Sequence, residues 1–242
     1  MSVQWRLFLV ALRTFTRLPI PWVAGAELQA DAAARYMPLV GVVVGALGGG
    51  AYWLAASVWP TSVAGVLSML VTVLATGALH EAGLANFCAA LCRQRTDDRA
   101  AAYRALGLVF LLLLKYNALM ALSAANLTFP VPANTALGLI VIMGHMASRA
   151  LVVTVIATRD GAGMRHLGTA DVVFALLVGF GPAALLGLPG LIGLAAAIIA
   201  RMAFTAGLRG RFDAFPGDLL GATQQLTEVS FYLGALASWT YI

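Results

Sequence analysis

All but three of the charged side chains in this chain lie in four short stretches, and long apolar runs separate those stretches. The stretches are residues 1–35, 81–104, 158–171 and 201–218. A chain patterned in this way is expected to cross a lipid bilayer several times. An ionised side chain in hydrocarbon is costly, so a charge that lies deep inside an apolar run is a candidate for function. These charges are Lys115, Arg149 and Glu228.

The composition supports a membrane protein. Of the 242 residues, 61% are hydrophobic and only 10% are charged, whereas a soluble domain has about 25% charged residues. The apolar runs do not alternate with polar residues, which argues against a β-barrel. The net charge of +5 would suggest nucleic acid in a soluble protein. Here the arginines flank apolar runs, so topology and anionic lipid explain the charge, and no nucleic-acid partner is expected.

The fold class that follows is all-α: a polytopic transmembrane helical bundle, forming one membrane-embedded domain over residues 1–242. A span needs about 20 mostly apolar residues, and this window predicts about seven spans. They are residues 37–58, 61–80, 105–125, 133–157, 169–187, 189–207 and 219–241. Residues 3–17 are too short to span. Since Arg6, Arg13 and Arg17 fall within about 40° on a helical wheel, this segment is predicted to be a helix lying in the cytoplasmic interface.

The arginines between spans predict the orientation. Every second connection is basic, whereas Trp59–Thr61, Asn126–Ala133 and Leu188–Gly190 carry no charge. The basic connections contain Arg93, Arg95, Arg159, Arg165, Arg209 and Arg211. By the positive-inside rule, the N-terminus is therefore cytoplasmic and the C-terminus lies on the opposite side.

The last predicted span carries its polar residues on one stripe about 80° wide. The stripe consists of Asp218, Gly221, Gln225, Glu228 and Tyr232. A helix surrounded by lipid would not collect its polar groups in this way, so the stripe indicates either a site or hydrogen bonds to neighbouring spans. Gly217 is predicted to precede the helix and to leave backbone N–H groups accessible to a phosphate.

The fourth predicted span places His145, Ser148 and Arg149 on one helix face, at spacings of three and four residues. An arginine does not lose its proton in a protein, so Arg149 needs an anionic partner. Glu228, Asp218 and a ligand phosphate are the candidates, and a structural Arg149–Glu228 pair is the alternative to a binding site.

Two further polar features lie in the apolar runs. Lys115 is near the middle of the third span, where snorkelling to water is difficult, so a phosphate or an internal carboxylate is its expected partner. His80 and Glu81 are predicted to end the second span at the cytoplasmic face. Such a pair suits acid–base or metal chemistry, although a polar end to a span is equally ordinary.

Five sequence motifs occur in the order expected for a known family. They are Phe15-Thr-Arg-Leu-Pro-Ile-Pro21, Tyr36-Met-Pro-Leu-Val-Gly41, Leu79-His-Glu-Ala-Gly-Leu-Ala-Asn86, Leu111–Tyr116 and Gly217-Asp-Leu-Leu-Gly-Ala-Thr-Gln-Gln-Leu-Thr-Glu228. Over nearly its whole length the chain resembles cobalamin synthases, the adenosylcobinamide-GDP ribazoletransferases of bacterial inner membranes.

The resemblance implies a transferase that joins α-ribazole, or its 5′-phosphate, to adenosylcobinamide-GDP and releases GMP, with Mg²⁺ as its metal. Catalytic roles are expected for His80, Glu81, Asp218 and Glu228, and substrate binding for Lys115, Ser148, Arg149, Gly217, Gly221, Gln224 and Gln225. The expected Mg²⁺ ligands are Glu81, Asn86 and Asp218. The sequence is compatible with a homo-oligomer and with a complex with other corrinoid-pathway enzymes.

One departure from the family pattern matters. The family carries aspartates where this chain has Ala82, Asn86 and Ala89, and hard cations prefer charged oxygen ligands. Asp97 and Asp98 are candidate substitutes. The alternative to an active enzyme is therefore a catalytically impaired paralogue that binds corrinoid or acts as a scaffolding membrane subunit.

Overall fold

The computed structural model describes residues 2–23, 30–92, 97–125, 133–158, 167–208 and 216–241. Apart from turns and short connections, these residues are helical, and no strand occurs among them. The α-helices are α1 (Val3–Phe15), α2 (Ala30–Ala33), α3 (Met37–Ala56), α4 (Thr61–Thr76), α5 (Leu79–Ala90), α6 (Asp97–Ala124), α7 (Ala133–Ala157), α8 (Thr169–Phe180), α9 (Leu188–Gly207) and α10 (Pro216–Tyr241). The predicted all-α membrane class is confirmed.

Five stretches of the described chain are long and apolar enough to cross a membrane, and a bent pair of helices makes a sixth. The five are Asp31–Ala56, Asp97–Ala124, Ala136–Ala157, Thr169–Leu186 and Leu188–Gly207. Six of the seven predicted spans therefore have a counterpart. The seventh, in α10, is long enough but is not among them, because its polar stripe lowers its hydropathy.

The prediction of one continuous span over residues 61–80 is wrong. The chain bends by 88° between α4 and α5. Gly77 and Ala78 both adopt left-handed backbone conformations, with φ of 63° and 56°, and their N–H groups bond back to carbonyls of the last turn of α4. This closure ends α4 and lets α5 start in a new direction, so His80 and Glu81 lie in the first turn of α5 rather than at the end of a span.

Helix α10 lies inside the bundle and packs against α5, α6, α7 and α9. Apart from the half-buried Asp218, its polar stripe is consequently covered by protein rather than by lipid. The helix begins at Pro216, one residue before Gly217, so the prediction that Gly217 precedes the helix is wrong. Proline suits a first helical position because its missing N–H would have had no intrahelical acceptor there.

Glycines permit the closest helix crossings. A Cβ atom on Gly221 of α10 would lie 2.9 Å from the Cα of Gly83 on α5 and 2.9 Å from the carbonyl oxygen of His80. Similarly, Gly41 and Gly45 of α3 lie directly against the backbone of α7. Small residues at such crossings let membrane helices pack at short range, and here they bring the polar faces of α5 and α10 together.

Helix α1 packs on the bundle through one face. Leu7, Val10 and Leu12 are buried in a cluster with α3, whereas Trp5 is exposed. Arg17 lies beyond the end of α1, and its N–H donates to the carbonyl of Ala75 at 2.7 Å, which attaches the N-terminal segment to the end of α4. The position of α1 in a membrane interface stays a prediction.

The predicted orientation also stays a prediction. The arginines that carry much of it, at 93, 95, 159, 165, 209 and 211, lie outside the described residues.

Candidate functional site

Glu228 is the centre of a buried network formed by α6, α7 and α10. Its Oε1 atom lies 2.5 Å from Nζ of Lys115 and accepts a hydrogen bond from the hydroxyl of Tyr232 at 3.0 Å. Its Oε2 atom accepts from Nε2 of Gln224 at 2.5 Å. The internal carboxylate partner expected for Lys115 is therefore Glu228.

This ion pair is almost completely removed from solvent, with side-chain exposures of 4% for Lys115 and 0% for Glu228. Burying two charges is costly unless the geometry is good and the remaining lone pairs are satisfied. The hydrogen bonds from Gln224 and Tyr232 meet that requirement. Breaking the pair would leave an uncompensated buried charge, so this contact has a strong structural role.

His145 connects the ion pair to Arg149. Its Nδ1 atom lies 2.9 Å from Nη1 of Arg149 and 3.2 Å from Oε2 of Glu228. A ring nitrogen either accepts from the guanidinium or donates to the carboxylate, because it holds either a lone pair or a proton. Rotation of Arg149 away from this nitrogen would therefore favour the tautomer that donates to Glu228.

Arg149 is fully buried without a complete set of acceptors. Its Nη1 atom also donates to the carbonyl of His145 at 3.1 Å, while Nε and Nη2 have no hydrogen-bond partner in the described chain. The alternative of a direct Arg149–Glu228 ion pair does not occur, since no contact within 4.0 Å joins them. Buried donors without acceptors are rare, and two on one cation indicate a place for an anion or water.

A second group of incompletely bonded polar atoms lies where α5 meets α10. Nε2 of Gln225 donates to Oε1 of Glu81 at 2.8 Å. Oε2 of Glu81, Oε1 of Gln225 and Nε2 of His80 are buried without a partner among the described residues. His80 lies within electrostatic range of Arg149 and Glu228. The two groups therefore belong to one polar interior shared by α5, α6, α7 and α10.

Like Lys115, Gln224 and Gln225, the predicted substrate-binding residues Ser148 and Gly221 contact other parts of the protein. Ser148 accepts from Nε2 of Gln224 at 3.2 Å and donates to the carbonyl of His145 at 3.3 Å. Gly221 is buried in the crossing with Gly83. Gly217, by contrast, is exposed, with open space beside it.

A cavity of about 390 Å³ lies between α5, α6 and α10. Nδ2 of Asn86 donates to Oδ1 of Asp218 at 3.1 Å, at the wall of this cavity. We call this cavity between α5, α6 and α10 the mouth cavity. Its lining consists of Asn86, Ala89, Ala90, Asp97, Ala100, Arg104 and Asp218.

The predicted Mg²⁺ ligands are only partly brought together. Asn86 and Asp218 are in contact, whereas Glu81 lies five residues before Asn86 on α5, about 140° away around the helix, and bonds to Gln225. Within the described ranges of the chain, no group of three His, Cys, Asp or Glu residues is close enough to hold a metal. Mg²⁺ typically binds one or two carboxylates and completes its shell with water and substrate phosphate. Asp218, Asn86 and Asp97 at the mouth cavity fit that pattern, and Asp98 does not line the cavity.

Comparison with known proteins gives the relationship. Residues 7–236 match the model of the family described as cobalamin-5-phosphate synthase. The chain belongs to this family. It is 39% identical to the adenosylcobinamide-GDP ribazoletransferase of Leptothrix cholodnii, over 96% of this chain and 95% of that protein. The enzyme of the same name from Ralstonia nicotianae is 34% identical, over 96% and 94%. No solved structure gives a significant match. The match to the family covers the residues of both the buried network and the mouth cavity.

Proposed function

We propose that this chain is an adenosylcobinamide-GDP ribazoletransferase acting late in assembly of the cobalamin nucleotide loop. The relationship to ribazoletransferases over nearly the whole chain carries this proposal. The fold supplies a polar interior and an adjoining cavity in which phosphate groups would be neutralised. The substrates would be adenosylcobinamide-GDP and α-ribazole or its 5′-phosphate.

The proposed reaction is a phosphoryl-type transfer. A ribose hydroxyl of α-ribazole attacks the phosphorus that carries cobinamide, and the bond from that phosphorus to the oxygen bridging to the GMP phosphate breaks. GMP leaves with the bridging oxygen, and the hydroxyl proton passes to a base. Positioning and neutralisation of phosphate charge supply most of the catalysis in such reactions.

The residues of the chain divide these tasks between the two regions. Arg149 would offer its unpartnered Nε and Nη2 donors to a phosphate oxygen. Glu81, with one free carboxylate oxygen, and His80, with a free ring nitrogen, are the candidates for the base. Asp218 and Asn86 would hold Mg²⁺, which would supply positive charge at the diphosphate when bound. Glu228 would act through Lys115 and His145 by holding the site together.

The activity is tested by adding adenosylcobinamide-GDP, α-ribazole and Mg²⁺ to membranes that contain the chain and measuring GMP. We expect GMP release from the wild type and from Asp98→Ala, which does not line the mouth cavity. We expect about a hundredfold less from Asp218→Ala, the size of effect seen when one group that stabilises transition-state charge is removed from an active site. Equal GMP from Asp218→Ala and wild type would refute this assignment of the site.

A specific observation favours the second candidate, an impaired paralogue that retains corrinoid. The α5 wall of the mouth cavity carries the neutral residues Asn86, Ala89 and Ala90. Under this alternative the purified protein retains adenosylcobinamide-GDP but releases no GMP, and it does not restore B12-dependent growth to a strain without cobalamin synthase. Restored growth would exclude the alternative.

Arg149→Lys separates a ligand role from a structural role for this cation. Lysine keeps the charge but lacks the planar set of donors that binds phosphate in a bidentate manner. We expect affinity for adenosylcobinamide-GDP to fall about tenfold, because a hydrogen bond between charged groups contributes roughly 1.5–3 kcal/mol. The thermal unfolding midpoint should stay near that of the wild type. Unchanged affinity with a lowered midpoint would instead assign Arg149 to the framework.

We further propose that the chain lies in the bacterial inner membrane with its N-terminus in the cytoplasm. A periplasm-dependent reporter fused to the C-terminus should be active, and the same reporter at the N-terminus should be silent.

A further inference from the structure

Arg104 is a charged residue of the mouth cavity to which the sequence patterns assign no role in the reaction. It lies on α6 seven residues after Asp97, and Ala100 lies between them on the same face. The three residues fall within about 60° of one another around the helix, and all three line the cavity. The small side chain of Ala100 leaves space between the two charged groups.

A close contact between α6 and α5 lies next to this face of α6. A Cβ atom on Gly107 would lie 2.4 Å from Sγ of Cys88 on α5, so the two helices meet there without room for a larger residue. Gly107 lies one turn beyond Arg104. This contact joins α6 to α5 close to Arg104, and Asn86 and Ala89 of α5 line the same cavity as Arg104.

The charges around the cavity do not neutralise one another by contact. Asp97 and Asp218 line the same space as Arg104, yet no ion pair within 4.0 Å joins either carboxylate to Arg104 in the described structure. The α5 wall between them is uncharged. Opposite charges that face one space without touching are suited to a ligand that carries both signs, such as a phosphate group with its divalent cation.

We propose that Arg104 binds the diphosphate of adenosylcobinamide-GDP. This inference rests on the proposed function and names a binding residue that the function alone does not. The guanidinium donates to diphosphate oxygens from the α6 side, while Asp218 and Asn86 face the same group from α10 and α5. Guanidinium groups match phosphate geometry and stay charged at any working pH. Arg104 thereby adds positive charge at a wall where this chain has few carboxylates to hold a cation.

Three variants of the full-length protein test the proposal in reconstituted vesicles: Arg104→Gln, Arg104→Lys and Arg99→Gln. Arg99 is also on α6, but about 140° away from Arg104 around the helix, and it does not line the cavity. Arg99→Gln thus removes the same charge from the same helix and serves as the matched control. Each variant is assayed for GMP release, to separate KM from kcat, and for binding of inorganic pyrophosphate in the presence of Mg²⁺.

We expect Arg104→Gln to raise KM for adenosylcobinamide-GDP by about 10- to 100-fold and to weaken pyrophosphate binding by a similar factor, as the loss of charged hydrogen bonds predicts. Arg104→Lys should show a smaller loss of both, and Arg99→Gln should match the wild type. The proposal is overturned if Arg104→Gln keeps the KM and the pyrophosphate affinity of the control. Weaker binding to anionic lipid vesicles with unchanged pyrophosphate affinity would also overturn it, by assigning Arg104 to lipid headgroups.

Failure of the proposed function gives a different result. If the wild type releases no GMP, the pyrophosphate titration still compares Arg104→Gln with Arg99→Gln, and a loss confined to Arg104→Gln supports the binding residue without the reaction. If Arg104→Gln lowers the thermal unfolding midpoint, the KM and the pyrophosphate affinity of Arg104→Lys are compared with those of the wild type, because lysine keeps the charge.

Discussion

The buried network around Glu228 and the mouth cavity are two polar regions that differ in how their charged groups are paired. In the network, Lys115 and Glu228 are in direct contact and further side chains complete their hydrogen bonds. In the mouth cavity, Arg104 and Asp218 face the same space without an ion pair. The first region satisfies its own charges, and the second leaves its charges free for another molecule.

The difference separates residues that shape the site from residues that meet the ligand. A charge that already has a close partner must lose it before it can bind substrate, so Lys115 and Glu228 are better suited to holding helices α6 and α10 together. Arg149 combines features of the two regions, since it contacts His145 of the network yet keeps two donors without partners among the described residues. Substitutions in the network should therefore lower the free energy of unfolding strongly, and substitutions at the cavity should lower it only slightly.

Glu228→Gln should destabilise the protein more than a substitution at the helix crossing or at the cavity wall. It leaves Lys115 buried without a counter-charge, and breaking a buried ion pair costs about 3–5 kcal/mol. The thermal unfolding midpoint in detergent should fall strongly, whereas the double variant Lys115→Met with Glu228→Gln should recover much of the loss. A stable Glu228→Gln that binds substrate but releases no GMP would show instead that Glu228 belongs to the chemistry.

Gly221→Ala should cost about 1–3 kcal/mol of stability, the usual range for overpacking. The new methyl group would meet the backbone of α5 at Gly83, so the helices must separate and the contact of Gln225 with Glu81 must lengthen. Gly217→Ala, in the first turn of the same helix, is the control because it points into open space. Equal unfolding midpoints for the two variants would show that the crossing is not tightly packed.

Asn86→Asp should change stability least, and divalent cation should stabilise this variant more than it stabilises the wild type. The new carboxylate would lie beside Oδ1 of Asp218, which now accepts a hydrogen bond from Asn86, so the variant should be slightly less stable in chelator. Ligand that binds only the folded state adds stability in proportion to RT ln(1 + [L]/Kd). Added Mg²⁺ should therefore raise the midpoint of Asn86→Asp more than that of the wild type. An identical response in both proteins would argue against a cation at this wall.

The sequence predicted the membrane class, most of the helices and the residues of the buried network. Charges in apolar runs are rare and costly, so Lys115, Arg149 and Glu228 could be identified without any three-dimensional information. The choice of partners could not be predicted, because it depends on how three helices rotate toward one another. Arg149 was expected to have Glu228 as one of its possible partners, but Lys115 occupies that position.

The bend between α4 and α5 and the presence of Arg104 in the mouth cavity were not predicted, for separate reasons. The bend depends on two residues in the left-handed conformation, Gly77 and Ala78. Alanine rarely adopts a positive φ, so the sequence does not indicate that Ala78 does. Arg104 lies in a charged stretch where arginine is ordinary, so only its i, i+7 relation to Asp97 could have indicated a shared face. The resemblance had already placed Asn86 of α5 and Asp218 in one expected Mg²⁺ site, and their contact in the structure agrees with that pairing.

The two-residue bend also limits how relatives of this chain can differ in length. Adding or deleting a single residue at Gly77–Ala78 would disrupt the hydrogen bonds that close α4 and displace the start of α5, taking Glu81 away from Gln225 and Gly83 away from Gly221. Variation in length among functional homologues should consequently be concentrated elsewhere and be rare at this joint.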